Sequence, residues 1–154
     1  MPKIYPNYQS KTRIFYVDDT DTTVTNSATE TTVYTFTLPA NTLNLNNILF
    51  IAYHNNVTSV ATGRTLTAKI KIGTTTIQTT TTTATGRYIR SVNAVLNNAT
   101  NTVLGAVGFL GHGASLTSYT IDMTANQTIT VTMQWDAADV ASVTVEKFYV
   151  LLIE

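Results

Sequence analysis

The segment Thr128-Ile-Thr-Val-Thr-Met-Gln-Trp135 alternates strictly between polar and apolar side chains. Successive side chains of a β-strand point to opposite faces of a sheet, so this period of two predicts a strand. The side chains expected to face a hydrophobic core are Ile129, Val131, Met133 and Trp135. One buried face and one wet face are typical of antiparallel sheets, so the segment indicates an antiparallel β-protein.

Similar strands are predicted along the rest of the chain. The alternating pattern recurs in Thr31–Leu38, Arg64–Gly73 and Tyr119–Met123, and further strands are expected in Lys11–Val17, Arg87–Leu96 and Val103–Leu110. Two segments, Ile48–Tyr53 and Phe148–Ile153, are apolar at nearly every position. Because both of their faces are apolar, they predict central strands or strands whose outer face a neighbouring subunit covers.

Turn-forming residues separate these segments, for example at Pro39-Ala40-Asn41, Asn55-Asn56 and Ala125-Asn126. Many short strands at this spacing indicate a sandwich or a barrel. A parallel α/β fold would need helices between the strands, and no helical periodicity of sufficient length is evident. The sequence therefore predicts an all-β fold, an antiparallel, jelly-roll-like β-sandwich of about eight strands.

The chain of 154 residues is predicted to hold a single sandwich domain over 11–154, preceded by an extended N-terminal arm over 1–10. Two prolines in the arm prevent regular strand pairing, and two tyrosines offer apolar surface. The arm either lies on its own domain or reaches a neighbouring subunit. In the second case the candidate contact residues are Tyr5, Pro6 and Tyr8.

Composition excludes several classes of function. The formal net charge is +0, so nothing favours binding to nucleic acid phosphates or to an anionic membrane surface. No segment approaches the roughly 20 apolar residues of a membrane span. Charged residues make up 12% of the chain, against about 25% in a typical domain. Threonine is abundant in their place. It either forms the ordinary outer surface of strands, which β-branched residues fit, or forms a surface that packs against further copies of the chain. The second interpretation follows because hydroxyl groups cost less to desolvate than charges.

Two segments of the chain have an unusual composition. Thr74–Thr85 is a threonine-rich stretch without charge or proline, and as a free sheet edge it would invite aggregation. We expect it to be paired or covered, which favours an oligomer. Gly105 and Gly108 lie inside an apolar strand, where glycine indicates a bulge or a close approach of another group.

No residue set predicts catalysis, a cofactor or a metal centre. His54 and His112 have no partner at a metal-binding or catalytic spacing, and the chain has no cysteine. Asp136 and Asp139 lie in one turn, whereas a glycosidase pair usually comes from different strands. Asp18–Asp21 could offer oxygen ligands to calcium, although a solvated turn is the favoured interpretation. We expect no enzyme, no cofactor and no metal.

The threonine-rich segment Glu30–Leu43, the apolar strand Ile48–Tyr53 and the alternating segment Arg64–Ile77 resemble threonine-rich β-sandwich proteins of bacteriophages and related viruses. That group includes head-decoration, head-fibre and tail-fibre components. The resemblance is best over residues 30–77 and supplies no site residues. It implies a virion component, often trimeric, built on a jelly roll or a similar sandwich.

Two functions remain open at the level of sequence. The leading hypothesis is a self-assembling virion protein, a trimeric capsid-decoration subunit or a small capsid or fibre-cap subunit, whose partners are its own copies and other capsid proteins. The alternative is a carbohydrate- or receptor-binding module for a host-surface glycan. The alternative predicts exposed aromatic or Asp/Asn side chains in the loops at one end of the sandwich.

Overall fold

The computed structural model describes residues 11–59, 63–96, 102–107, 116–138 and 141–154. These ranges contain eleven strands and no helix. The strands are β1 (Thr12–Asp18), β2 (Thr22–Thr25), β3 (Thr31–Leu38), β4 (Ile48–Ser59), β5 (Leu66–Ile72), β6 (Thr75–Thr82), β7 (Gly86–Leu96), β8 (Thr102–Val107), β9 (Leu116–Thr120), β10 (Gln127–Trp135) and β11 (Ser142–Ile153).

The strands form two antiparallel sheets. The first sheet has the order β1-β11-β4-β7-β8-β9, and β2 pairs with β11 beyond the end of β1. The second sheet has the order β3-β10-β5-β6. The chain crosses between the sheets six times, from β2 to β3, β3 to β4, β4 to β5, β6 to β7, β9 to β10 and β10 to β11. Four strands of the first sheet (β1, β11, β4 and β7) therefore face the four of the second as a double-sheet jelly roll.

The predicted all-β sandwich is confirmed, with β2 and the β8–β9 hairpin added to the eight strands of the jelly roll. Strand β3 has the predicted bounds, and β5 and β10 match their segments within two residues. One turn prediction is wrong, because Asn55-Asn56 lies inside the long strand β4. Asn55 is buried and lies between Val145 of β11 and Tyr88 of β7, so neighbouring strands on both sides hold it in the sheet.

The core lies between the sheets and consists of the alternate residues that the pattern placed there. Ile129, Val131, Met133 and Trp135 of β10 are all fully buried. From the opposite sheet, β11 contributes Phe148, Val150 and Leu152, which are also buried. Burying such side chains contributes about 1.5–3 kcal/mol each, which is the main force that holds the two sheets together.

Four aromatic rings close one side of the sandwich. Tyr34 stacks on Phe148 with centroids 5.3 Å apart, and Tyr16 meets the edge of Phe148 at 5.9 Å. Tyr16 also stacks on Phe36 at 4.9 Å. The Tyr34 hydroxyl donates to the carbonyl oxygens of Thr20 and Val145, and burial raises its pKa to about 12. The cluster joins β1, β3 and β11 across the two sheets.

The threonine-rich stretch forms β6, which pairs with β5 at one side and ends its sheet at the other. The Tyr119 hydroxyl of β9 donates to the carbonyl oxygen of Ile77 in β6 at 3.0 Å. The side-chain amide of Gln78 donates to the carbonyl oxygen of Ser91 in β7. The stretch is therefore paired along one side only, and the Tyr119 contact covers part of its edge from within the same chain.

Gly105 provides the space for this Tyr119 contact. A Cβ atom on Gly105 would lie 3.0 Å from Cε2 of the Tyr119 ring, so the ring packs where a side chain would stand. The glycine therefore marks a close approach, as its position in a strand indicated.

Replacing Gly105 with valine should displace the Tyr119 ring and break its hydrogen bond to β6. We expect a loss of about 1–3 kcal/mol of stability, the usual effect of overpacking, together with faster aggregation through the uncovered edge. Urea unfolding and light scattering on heating measure the two effects. Tyr119→Phe removes only the hydroxyl and serves as the matched variant, with a smaller loss. Unchanged unfolding of Gly105→Val would contradict the packing argument.

Candidate assembly surfaces

An apolar surface lies on the outer side of the first sheet, over β1, β11 and β4. Strands β4 and β11 turn one set of side chains into the core and the opposite set outward. The large apolar side chains of the outward set, together with two residues of β1, are named here the apolar face: Ile14, Val17, Ile48, Phe50, Tyr149, Leu151 and Ile153. The two-sided apolar pattern of these strands is thus explained by a core on one side and this face on the other.

The register aligns the side chains of the apolar face in rows across strands. Ile14, Leu151 and Phe50 occupy adjacent positions on β1, β11 and β4. Ile153 lies beside Ile48 in a parallel row. Ile14 remains 69% exposed, whereas the residues of β4 and β11 are half-buried by their neighbours. Such rows of large side chains form a continuous surface rather than scattered exposed residues.

Polar side chains bound the apolar face towards the other end of the sheet. His54 lies beside Tyr149, with ring centroids 5.5 Å apart in an edge-on arrangement. Beyond it, Arg87 pairs with Glu146 at 3.3 Å, and the exposed side chain of Lys147 lies next to His54 in the register. His54 thus has a surface position at this boundary, as expected of a histidine without a spaced partner.

The outer side of the second sheet is covered with hydroxyl groups. We name it the threonine face, and it consists of Thr35, Thr37, Thr67, Thr79, Thr81, Thr128, Thr130 and Thr132. Six of these residues are outward members of the alternating segments, and Thr79 and Thr81 come from the threonine-rich stretch, so the expected threonine surface of the strands is present. The two outer sides of the sandwich therefore differ in chemistry, one apolar and the other hydroxyl-rich.

A small charged cluster lies within the threonine face. Glu30 accepts hydrogen bonds from the ammonium groups of Lys69 and Lys71 and from the Thr132 hydroxyl at 2.9 Å. The two lysines lower the pKa of Glu30 from 4.5 to about 2. The sequence placed both lysines on this face but gave no sign of their partner, because Glu30 precedes β3 and lies far from β5 along the chain.

The lowered pKa of Glu30 predicts a loss of stability in acid. A carboxylate with a folded pKa below its unfolded value stabilises the protein above about pH 4.5, and the contribution disappears as pH falls towards 2. Because solvent partly screens the cluster, we expect a contribution of about 1 kcal/mol. Denaturant unfolding of the wild type and of Glu30→Gln between neutral and acidic pH measures it. The difference between the two proteins should shrink in acid, and a constant difference would contradict the assignment.

In the turn after β1, the carboxylate of Asp18 accepts two local hydrogen bonds. One carboxylate oxygen of Asp18 accepts the Thr20 amide at 2.9 Å, and the other accepts the Tyr16 hydroxyl at 2.9 Å. The Thr20 hydrogen bond is the main cause of the lowered pKa of Asp18. Within the described ranges, no three His, Cys, Asp or Glu side chains form a group suited to a metal ion. The geometry of Asp18 is that of a turn-forming residue.

One end of the sandwich is rich in asparagine, as the carbohydrate-binding alternative predicts. The β3–β4 and β9–β10 loops meet there, where Asn126 Oδ1 accepts the Ala40 amide at 2.8 Å. Asn47 Oδ1 accepts the Asn44 amide, and Asn44 Oδ1 accepts the Asn46 amide. These side-chain oxygens are already engaged in shaping the loops, which leaves amide groups and hydroxyls as the groups that could contact a ligand.

Several residues singled out in the sequence lie outside the described residues. These are Tyr5, Pro6 and Tyr8 of the arm, together with Gly108, His112 and Asp139. Asp136 is described and lies exposed after β10. The part of the chain that the structure describes also contains no helix long and apolar enough to cross a membrane.

Comparisons with known proteins found structural neighbours only. No protein-family model and no curated protein matches the chain. The CBM2 module of the evolved Dit of Lactobacillus casei BL23 phage J-1 has a TM-score of 0.47 and 12% identity, over 94% of this chain and 97% of that one. An infectious bursal disease virus VP2 subviral particle has a TM-score of 0.43 and 14% identity, over 99% of this chain.

The chain spans only 37% of the length of that VP2 chain. The structure of the infectious bursal disease virus Gt strain gives the same coverage of 37%, and its TM-score is 0.43. These structural neighbours come from a bacteriophage and from a virus. None of them transfers a residue or a role to this chain.

Proposed function

We propose that this chain is a structural subunit of a virus particle that assembles with further copies of itself. The observation that carries the proposal is the apolar face, a continuous set of large side chains on the outside of a sandwich whose core is already complete. Exposed apolar surface of this extent is typical of protein interfaces. The proposed role is capsid decoration, or a small capsid or fibre-cap subunit, and a trimer is the assembly that the sequence resemblance favours.

The surface chemistry supports an assembly role over catalysis. Charged residues make up only 12% of the chain, and the threonine face offers neutral hydroxyls that can be desolvated at low cost. Several charged side chains of the described residues serve ion pairs and turns, among them Glu30 and Asp18. We therefore propose a protein without enzymatic activity, whose partners are its own copies and other capsid proteins.

Electron microscopy of purified virus particles tests the proposal. Density for this sandwich in repeated positions on the capsid or on an appendage is the expected result, with peptides of the chain identified in the same particles by mass spectrometry. Absence of the chain from purified particles would overturn the assignment to a virion.

The N-terminal arm is proposed to contribute to the same assembly through Tyr5, Pro6 and Tyr8. Removing residues 1–10 leaves the sandwich strands intact and should weaken association, which sedimentation measures. Assembly at full strength after the deletion would remove the arm from the proposal.

A carbohydrate- or receptor-binding module is the second candidate, favoured by the asparagine-rich end. Exposed amides at Asn41, Asn46 and Asn126 could hydrogen-bond sugar hydroxyls. A glycan array tests this candidate directly. Binding that is lost in Asn46→Ala would support it, and an array without signal would contradict it.

A further inference from the structure

We propose that the half-buried guanidinium group of Arg90 binds the carboxylate of an acidic sugar at one side of the sandwich. The site lies where β6 of the second sheet faces β7 of the first. We name it the polar seam, and it consists of Tyr53, Gln78, Thr80, Thr82, Tyr88 and Arg90. The proposal does not depend on assembly into a virus particle. It shares the carbohydrate class with the second candidate function but does not use the asparagine-rich end.

The two walls of the polar seam are joined at both ends. The side-chain amide of Gln78 on β6 donates to the carbonyl oxygen of Ser91 on β7 at 3.1 Å. Further along β6, the Thr82 hydroxyl donates to the Tyr88 hydroxyl at 3.3 Å. Gln78 and Thr82 are an even number of residues apart on one strand, so they point to the same side of the sheet. The seam is therefore a polar strip about 13 Å long between these two contacts.

Arg90 lies between the two ends of the polar seam. Its partner in the register of β4 is Tyr53, which is buried. Burial raises the pKa of Tyr53 to about 12, while a hydrogen bond with Thr80 and the positive charge of Arg90 oppose the rise. The guanidinium group is therefore close to the hydroxyl groups of Tyr53 and Thr80.

Tyr88 holds the guanidinium group of Arg90 in place. The Cζ atom of Arg90 lies 4.8 Å from the centroid of the Tyr88 ring, a favourable position for a cation over an aromatic face. The Tyr88 hydroxyl is fixed in turn, because it donates to the carbonyl oxygen of Ala84 at 3.0 Å. The ring thus gives the guanidinium group a defined orientation before any ligand arrives, which lowers the cost of binding.

No carboxylate in the described part of the chain pairs with Arg90. All Asp and Glu residues except Asp139 lie in that part, and their ion pairs do not include Arg90. The N–H donors of a guanidinium group lie in its plane, so stacking on Tyr88 covers one face and leaves these donors unused. Such a planar fork matches a carboxylate through two parallel hydrogen bonds.

The groups around Arg90 favour a sugar acid over other carboxylates. A uronic acid carries a carboxylate and several hydroxyl groups on one ring, and each hydroxyl both donates and accepts. Thr80 and Thr82 are half-buried and offer hydroxyl groups along the same strip. Gln78 Oε1 is buried and has no hydrogen-bond donor among the described residues, so a hydroxyl group entering beside it would supply one. An acidic peptide side chain brings only methylene groups with its carboxylate.

The test is titration of the full chain with glucuronate, followed through the arginine Nε–H resonances in proton–nitrogen NMR spectra. Glucose is the neutral control sugar, and a glutamate-containing tetrapeptide supplies a carboxylate without a sugar ring. Arg90→Gln removes the charge, whereas Arg90→Lys keeps it without the planar fork. Arg87→Gln is the matched control, because Arg87 is an exposed arginine of the same strand that pairs with Glu146. Circular dichroism confirms that each variant is folded.

We expect glucuronate to shift the resonance that is missing from the spectrum of Arg90→Gln. It should bind about tenfold or more tighter than glucose or the peptide. Both substitutions of Arg90 should raise the dissociation constant about tenfold or more, and Arg87→Gln should leave it unchanged. No response to glucuronate, equal binding of glucose, or binding by folded Arg90→Gln as in the wild type would overturn the proposal.

Two further outcomes separate this site from its alternatives. Tighter binding of the peptide than of glucuronate would overturn the assignment of the ligand as a sugar. Loss of glucuronate binding in Asn46→Ala but not in Arg90→Gln would overturn the polar seam and support the second candidate function at the asparagine-rich end. The presence or absence of the chain in virus particles is measured separately, so the proposed function and this site can fail independently.

Discussion

Replacing Phe148 with alanine should lower the free energy of unfolding by about 3–5 kcal/mol, the usual cost of removing a buried aromatic ring. Phe148 is fully buried, stacks on Tyr34 at 5.3 Å and meets Tyr16 edge-on at 5.9 Å. Its loss leaves a cavity between the sheets and removes the ring that both tyrosines contact. Urea unfolding followed by fluorescence and circular dichroism measures the effect.

Phe148→Leu is the graded control for this prediction. Leucine retains part of the apolar volume but not the aromatic contacts. The free energy of unfolding of Phe148→Leu should therefore lie between those of the wild type and Phe148→Ala. A loss of less than about 1 kcal/mol in the free energy of unfolding of Phe148→Ala would show that Phe148 is not central to the packing of the two sheets.

Two adjacent leucines on β11 should respond very differently to the same substitution. Leu152→Ala removes a side chain that is 3% exposed in the core, and we expect a loss of about 2–5 kcal/mol in stability. Leu151→Ala shortens an outward, half-buried side chain on the apolar face. For this variant we expect a loss of stability of about 1 kcal/mol or less, measured on dilute protein. The contrast follows from the period of two along the strand.

Protein concentration separates the two effects further. Association stabilises the folded state by mass action, so unfolding should be measured over a dilution series. Leu151→Ala should reduce the dependence of stability on concentration, whereas Leu152→Ala should reduce stability at every concentration. Equal losses for both leucines at high dilution would mean that β11 does not have a core side and an outer side.

Much of the fold could be predicted because alternation is a local property. In Thr128–Trp135 the polar or apolar character of each side chain predicts which face of the strand it occupies. All four predicted core residues are buried. The two-sided apolar pattern of Ile48–Tyr53 and Phe148–Ile153 correctly indicated strands at the centre of a sheet, since β11 and β4 are paired on both sides. These conclusions need only the period of the pattern.

Other features depended on which distant segments meet. Asn55-Asn56 has the composition of a turn, but the pairing of β4 with β11 and β7 keeps it in a strand. The partner of Lys69 is Glu30, at a separation of 39 residues, and no local pattern connects them. Tyr119 covers the edge of β6 only because the β8–β9 hairpin brings it to Ile77.

The sequence by itself determined that the chain forms alternating strands, which side chains those strands bury and that its surface carries few charges. The tertiary structure alone decided the order of the strands in the two sheets, the partner of Glu30 and the gathering of Ile14, Phe50 and Leu151 into one face. The physical reason is that side-chain direction in a strand repeats every two residues, whereas strand pairing and surface continuity arise from contacts between segments far apart in the chain.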